Sequence, residues 1–546
     1  MNEKAIELIA LYDHHRNKNA NFLNLYQETA NLIFPRESDI TVTHSEGEEK
    51  GRDIIDPTGQ MASIEMASGL SINLFPPGQK FYNITMSDGR LNEVESVKRT
   101  LGFITEISHE KRANSNFMLQ SDETLRGLSV FGEAFMFSDW TSVTGLNYTD
   151  YDIADYIPLE NSKGIVDTVL FKTIFTASQA HEEFGDKAGE TVIKKMENLK
   201  TQSDKFEFIY IIRPRTKRNL MLQDTMNLPF ELICISVTDK EIVKEGGYHE
   251  FPGAVPRWSK SSKESRGRGQ GVFALPFVRN LQKMHGDLIE CGNLWNNSPK
   301  EVLDTFEGEV RTFAGALNWV PEMGSIKAIE QGVRGNFPIT KDLLEYEQEL
   351  VKRMFFNDVF VQLRDLKGDR RTTLEIRALL AEGLQRLGPP IGRIQTEWLN
   401  PVVTRDILLL IRNGELPPLP REMQGQKFKI EYVGRLAMEL KSQQARGFQQ
   451  WAMAGAEFEQ VFPGSGVLDN VNIDGGYRRL GETLGVSIED MTSEEERNAK
   501  RQARAEAQQR QEAMQMAQIA AQGLGQTSKK PERDSPAEKV MESMGV

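Results

Sequence analysis

Residues 274–297 read ALPFVRNLQKMHGDLIECGNLWNN. Leu281, Met284, Leu288, Cys291 and Trp295 recur every three or four positions, so the stretch predicts one long helix with a single apolar stripe. Its lead-in, residues 259–271 (SKSSKESRGRGQG), is polar and glycine-rich and reads as a flexible hinge. Beyond the helix, residues 298–338 carry three prolines, five glycines and short apolar pieces, the texture of a small β-containing insertion. Helical spacing returns in TKDLLEYEQELVKRMFF, residues 340–356. The chain thus predicts two helices flanking a compact insertion. At about 20 residues and 1.5 Å per residue, each is roughly 30 Å long.

The pattern extends in both directions. VQLRDLKGDRR, residues 361–371, is polar and glycine-bearing. A long helical stretch covers 372–412, where Gly388-Pro389-Pro390 and Asn400-Pro401 predict a break or kink. Upstream, residues 1–34 are helical by spacing, with Phe22, Leu25, Tyr26, Thr29, Leu32 and Ile33 before Pro35. A small-residue helix starts at Asp56-Pro57-Thr58, shows a face of Ala62, Met66, Ala67, Leu70 and Leu74, and stops at Pro76-Pro77-Gly78. Two more helices fit 95–137. Short β-type runs fill 130–250, among them FEFIYII at 206–212 and LICISV at 232–237. Residues 414–428 read as a Pro-rich linker and 431–490 as short helices. Residues 493–521 form an Ala/Gln-rich helix with a weak stripe of Ala499, Ala503, Ala507, Met514, Ala517 and Ala521. Residues 523–546 have the composition of a disordered tail. The fold class is α+β, mainly helical.

Composition narrows the function. The 546 residues carry 66 Lys and Arg against 79 Asp and Glu, a net charge of −13, which argues against tight non-specific gripping of nucleic acid. No apolar run approaches the ~18 residues of a membrane span, and the acidic, mixed N-terminus does not read as a signal peptide. Cys234 and Cys291 form no C-x-x-C motif and no disulfide framework, which suits a reducing cytoplasm.

Motifs for chemistry are missing. A phosphate loop needs Gly-Lys, a dipeptide this chain lacks. The pairs His109-Glu110, His181-Glu182 and His249-Glu250 are followed by Ala113, Gly185 and Gly253 where a zinc protease needs its second histidine. No serine has the flanking glycines of a hydrolase elbow. Gly269-x-Gly271-x-x-Ala274 imitates a dinucleotide fingerprint, but no strand precedes it. Glu345 and Glu349 sit at i, i+4 on a helix and read as a solvated face. We therefore expect no catalytic residue, cofactor or metal.

The order of parts carries more than any one motif. Pro35-Arg36 ends the first helical region, and Gly51-Arg52-Asp53-Ile54-Ile55-Asp56-Pro57-Thr58 follows. Then come the helix from Ala62 to Leu74, the Pro76-Pro77 turn into Phe81, the glycine-rich Gly267-Arg268-Gly269 before Ala274-Leu275, and Arg279-Asn280-Leu281-Gln282. Over roughly residues 1–490 this order resembles the portal, or head-to-tail connector, proteins of podovirus-type, short-tailed phages.

The resemblance implies a ring, commonly a 12-mer, at one capsid vertex of the virion, assembled in the host cytoplasm. It implies a wing at 1–270, a first stem helix at 271–297, a clip at 298–338, a second stem helix at 339–358 and a tunnel loop at 359–371. A long kinked wing helix at 372–420, a crown at 421–490, a barrel helix at 491–522 and the tail at 523–546 complete the expectation. Double-stranded DNA would pass through, and the partners would be a terminase motor, tail adaptors, and major capsid and scaffolding proteins, with no membrane. Arg364, Lys367, Arg370 and Arg371, opposed by Asp365 and Asp369, make the loop locally basic in an acidic chain. Repeated around a ring they would meet phosphates without reading bases. The plainer alternative makes Arg370 and Arg371 surface residues, or ion-pairs them with Glu375. At the level of the whole protein, the alternatives are a non-conducting tail or scaffold protein and a packaging enzyme with an unrecognised site.

Overall fold

The computed structural model describes residues 3–76, 78–219, 221–222, 224–296, 300–304, 309–311, 318–320, 326–328, 337–364, 386–417, 419–423, 425–433, 435–462, 464–483, 492 and 494–526. The chain divides into two compact units. The first comprises Met1–Tyr82, Ile104–Pro417 and Tyr432–Gly447, the second Asn83–Phe103, Pro418–Glu431 and Phe448–Val546. Helices and an antiparallel sheet share the first unit, an α+β fold as the sequence predicts.

The N-terminal helical region is two helices, α1 (Glu3–Lys18) and α2 (Ala20–Ile33). They part at Asn19, whose side-chain amide donates back to the His15 carbonyl at 2.9 Å. Helix α1 lays Ala5, Leu8 and Tyr12 on one face of a five-stranded antiparallel sheet. The sheet order is β4 (Tyr156–Glu160), β5 (Val166–Thr176), β6 (Lys205–Pro214), β7 (Phe230–Ser236) and β8 (Glu241–Tyr248). Ile209 and Ile211 meet α1, while Phe206 and Phe208 point the other way, into α6 (Ala177–Phe184) and α7 (Glu190–Met196). Side chains alternate across a strand, so a sheet covered on both faces explains why FEFIYII reads as almost continuously apolar. The two covering helices α6 and α7 lie inside the region read as purely β.

A hairpin of β2 (Phe135–Thr141) and β3 (Gly145–Tyr151), joined by the short β9 (Gly253–Ala254), forms a second sheet. Helix α5 (Phe117–Val130) packs on this hairpin and α3 (Thr58–Leu74) on α5, while α4 (Glu95–Ala113) runs through residues of both units. The predicted face of α3, from Ala62 to Leu74, is buried throughout. The prolines of the late helical region do not break it. Residues 386–394 stay helical through Pro389 and Pro390, widen into a π-helical turn at Gln395–Leu399, and resume with Pro401 in the first turn of the next helix, Asn400–Arg412. Pro401 has no N–H to give to the preceding turn, and the wider turn re-phases the helix instead of ending it.

The second unit includes most of a two-stranded ribbon in which β1 (Tyr82–Met86) pairs with β12 (Phe428–Tyr432), so the region read as a linker ends in a strand. It also holds a helix over Ile473–Thr483 and a long one over Glu494–Gln526. Arg501 of the long helix grips Asp474 with two bonds of 2.6 and 2.7 Å. From Asn498 to Met516 every side chain of the long helix is exposed, Ala499, Ala503, Ala507 and Met514 of the weak stripe included.

The segment read as a hinge is a lock. Gly267 and Gly269 run directly against Gly132: a Cβ on Gly267 would stand 2.1 Å from the Gly132 carbonyl oxygen, and one on Gly269 2.5 Å from the Gly132 nitrogen. Gly271 presses on the Val130 carbonyl in the same way, at 2.6 Å. Between them Arg266 is buried against Glu133, 3.1 Å away, and donates to the Tyr156 carbonyl at 2.9 Å. The Glu133 carboxylate also takes the Gly267 N–H at 2.9 Å, and the Tyr26 hydroxyl donates to the Gly267 carbonyl at 2.8 Å. The glycines serve close backbone approach rather than freedom.

Gly267→Ala is expected to lower the melting temperature sharply, with a loss of about 3 kcal/mol or more, because backbone must move. Gly292→Ala, at a helical glycine with open space around it, is expected to raise stability by about 0.5–1 kcal/mol. Thermal unfolding of the two variants checks both signs.

Candidate functional site

The lock delivers the chain into α8 (Gln270–Asn296). Helix α9 (Phe337–Met354) packs on it, and α3 packs on both. Between α8 and α9 the described pieces of the insertion include a strand pair, β10 (Lys300–Val302) and β11 (Ile326–Ala328), with Lys300 opposite Ala328. The two helices that flank the insertion are therefore adjacent in space.

Asp56 fastens this assembly. Its carboxylate is buried at the start of α3 and accepts the Thr58 N–H at 2.8 Å. It also accepts from Gln348 of α9 at 2.7 Å and faces His285 Nδ1 of α8 at 3.1 Å. Gln282 of α8 completes the joint as a peptide would. Its Oε1 accepts from the Ile55 and Asp56 N–H groups at 2.7 and 2.9 Å, and its Nε2 donates to the Asp56 carbonyl at 2.7 Å. Burial pushes the Asp56 carboxyl up, but the bonds from Thr58, Gln348 and His285 outweigh it and hold it below the usual aspartate range.

The outer faces of α8 and α9 are mixed in sign. Lys283, Asp287 and Glu290 are exposed on α8, and Lys341, Asp342, Glu345, Glu349, Lys352 and Arg353 on α9. Lys341 pairs with Glu345 at 3.6 Å and Arg353 with Glu349 at 3.4 Å, each one turn apart. Glu345 and Glu349 thus belong to a solvated, ion-paired face. Leu343 and Tyr346 are exposed among these charges. Among the described residues no cluster of His, Cys, Asp and Glu could hold a metal.

Helix α9 stops at a left-handed residue, Phe356, with φ of 58°. That conformation costs an aromatic residue about 1–2 kcal/mol, and its surroundings hold it there. Trp258 packs 6.0 Å from the Phe356 ring, and the Arg386 guanidinium lies over it at 5.6 Å. Arg386 also reaches Asp358 at 2.9 Å. The chain then forms α10 (Asn357–Arg364), so the segment read as a polar loop begins as a helix. Val359 and Phe360, both buried, are the apolar residues that make it one. Of the candidate DNA residues, Arg364 is the last residue of α10, while Lys367, Arg370 and Arg371 lie outside the described residues.

The family model described as "Bacteriophage head to tail connecting protein" matches residues 5–491. The chain belongs to this family. Two relatives extend the match. The "Portal protein" of Salmonella phage epsilon15 is 25% identical over 534 residues, 96% of this chain and 95% of that one. The "Probable portal protein" of Bordetella phage BPP-1 is 23% identical over 499 residues, 88% of each. The resemblance drawn from the order of landmarks is borne out over nearly the span expected.

Sequence reading missed the Asp56 joint. In the sequence Asp56 reads as part of a helix start and of a landmark of the family order, and its partners on α8 and α9 lie more than 200 residues away. The signal available was Gln282 and His285 one turn apart on a helix otherwise read by its apolar stripe.

The lowered pKa of Asp56 fixes a pH signature. Its contribution is fully present above the unfolded value of about 3.9 and is lost as pH falls through the lower folded value. Asp56→Ala is expected to cost about 2–3 kcal/mol at pH 7, and the gap from the parent is expected to narrow below about pH 4. Denaturant unfolding at pH 7, 5 and 3.5 reads it. A gap independent of pH would contradict an ionised joint.

Proposed function

We propose that the chain is a phage portal subunit. It would form a ring at one vertex of the capsid, serve as the conduit for genome packaging and ejection, and dock terminase and tail adaptors. The observation that carries this reading is the near full-length match to head-to-tail connecting proteins and to portal proteins of two phages. The adjacent pair α8 and α9, with a small strand-bearing insertion between them, supports stem helices around a clip. The other assignments, a β-containing wing, a crown and a C-terminal barrel helix, follow the same family order.

Their chemistry suits a conduit rather than an enzyme. A head-to-tail contact that closes gives a ring, and ring copies would bring the mixed-sign faces of α8 and α9 round a hole. Such faces oppose no continuous basic wall to DNA. Contact is instead assigned to the basic segment 361–371 that begins in α10, through Arg364, Lys367, Arg370 and Arg371. Major capsid and scaffolding proteins are the further partners of this reading. No described helix is long and apolar enough to cross a membrane.

Electron microscopy of the purified protein is expected to show closed rings with a central hole. With 61.8 kDa per chain and the family's twelve copies, the mass would be roughly 740 kDa. A protein that stays monomeric at micromolar concentration would overturn the reading. Alanine at Arg364, Lys367 and Arg370 together is expected to leave rings intact but to alter packaging yield or retention of packaged DNA, with weaker contact as salt rises. Replacing residues 299–336 by a short Gly/Ser link is expected to leave rings and abolish adaptor or motor docking. Normal docking by that variant would remove the clip assignment.

A further inference from the structure

Helix α10 has eight residues, too few to hold a helix in water unaided. Its place must come from what it packs on, which is α3 together with the preceding α9. Phe360 is buried, and its ring lies on α3 at Gly69. A methyl group built on Gly69 would stand 2.5 Å from Cγ and 2.6 Å from Cδ1 of that ring, well inside van der Waals contact. Gly69 does not have a left-handed backbone, so the ring rather than the backbone requires glycine here. One turn back on α3, Glu65 accepts a 2.7 Å hydrogen bond from the side-chain amide of Asn357, itself buried. Two points on α3, one turn apart, therefore meet two points on α10, one turn apart. Along the helix from Phe360, Arg364 is one turn further, about 6 Å.

We infer that Gly69 and Phe360, supported by Glu65 and Asn357, are positioning residues that seat α10 on α3 and so fix where the DNA-contacting segment departs. The inference rests on the reading of 361–371 as facing DNA. The ring in its notch sets depth, and the hydrogen bond one turn away sets rotation. The left-handed turn at Phe356, clamped by Trp258 and Arg386, fixes the near end of α10. Since Trp258 donates its backbone N–H to the Gly132 carbonyl at 2.9 Å, the seat is referred to the same glycine lock that starts α8.

Hydrogen exchange on the assembled full-length protein reads the seat, and DNA packaging and retention by phage carrying the same variants read its consequence. Gly69→Ala is expected to speed amide exchange in residues 357–364 about tenfold and to lower retention of packaged DNA. Adding Phe360→Leu exchanges the rigid ring for a smaller side chain that can turn its Cγ and Cδ carbons away from the new methyl, and is expected to restore both. Gly59→Ala crowds Val278 of α8 at 3.0 Å on the same helix α3, and is expected to leave exchange in 357–364 at the parent level. If Gly69→Ala does not fold, Asn357→Ala, which needs no repacking, is expected to move both readouts in the same direction. Unchanged exchange in 357–364, no restoration by Phe360→Leu, or an equal effect of Gly59→Ala would overturn the inference. Faster exchange with normal packaging and retention would keep the seat and overturn the DNA-facing reading of 361–371.

Discussion

Gly132 and the run Gly267–Gly271 cross with no side chain between the two backbones. That contact sets the start of α8. The Phe131 carbonyl accepts the Gly269 N–H at 3.0 Å, the Ser259 carbonyl accepts the Arg268 N–H at 2.9 Å, and the Gly132 carbonyl accepts the Trp258 N–H at 2.9 Å. Each satisfies a backbone group that burial would otherwise leave costly. From α8 the dependence runs outward. Gln282 and His285 find Asp56, Asp56 finds Gln348 of α9, and Trp258 backs the turn into α10. A small shift at the crossing would be felt at every later joint, because packed interiors transmit strain.

Buried charges stitch distant segments together in the same way. Arg266 meets Glu133 across 133 positions of sequence, and Arg257 meets Glu397 across 140. Arg112 meets Asp406 across 294 positions, with the Tyr148 hydroxyl donating to the same carboxylate at 2.8 Å. Burial works against the Arg266 charge, and Glu133 beside it more than offsets that loss, so the guanidinium stays protonated. Ion pairs this deep contribute little net stability, since desolvation consumes most of the attraction, yet removing one partner is severe. Their role here is registry. The π-helical turn at Gln395–Leu399 fits that role, since Glu397, which takes two bonds from the Arg257 guanidinium, lies within it.

This explains which parts of the molecule were legible in its sequence. Periodicity is local, so the buried face of α3, the stripe of α8 and the helix pair could be read from spacing alone. Of the α8 stripe Leu281 is fully buried, while Met284, Leu288 and Cys291 are half-buried. Pairing is not local. Arg266 looked like the polarity of a hinge because Glu133 lies far upstream, and a glycine-rich run reads alike whether it bends or is pressed flat. Phe360 was hidden for the same reason: one aromatic near a polar stretch carries no signal until Gly69, far upstream in the chain, is placed beside it. Pro401 misled in the other direction, since a proline's missing N–H is harmless where the preceding turn can widen. What placed the chain in its family was neither kind of signal, but the order of weak landmarks along its whole length.

The charge pattern completes the physical picture for a conduit. DNA binding strengthens with each phosphate neutralised, through release of condensed counterions. A channel lined throughout with lysine and arginine would therefore hold DNA too tightly to pass it. Here the exposed faces of α8 and α9 mix both signs, charges on α9 pair one turn apart, as Lys341–Glu345 and Glu349–Arg353 do, and the chain as a whole is acidic. On the proposed reading, contact is confined to one short basic segment repeated around the ring. A grip that small can be broken and remade as DNA moves, but only if every copy presents it at the same height and angle. A rigid seat under α10 meets that need, since a segment hung from a floating helix would spread its charges over many positions and lose the collar.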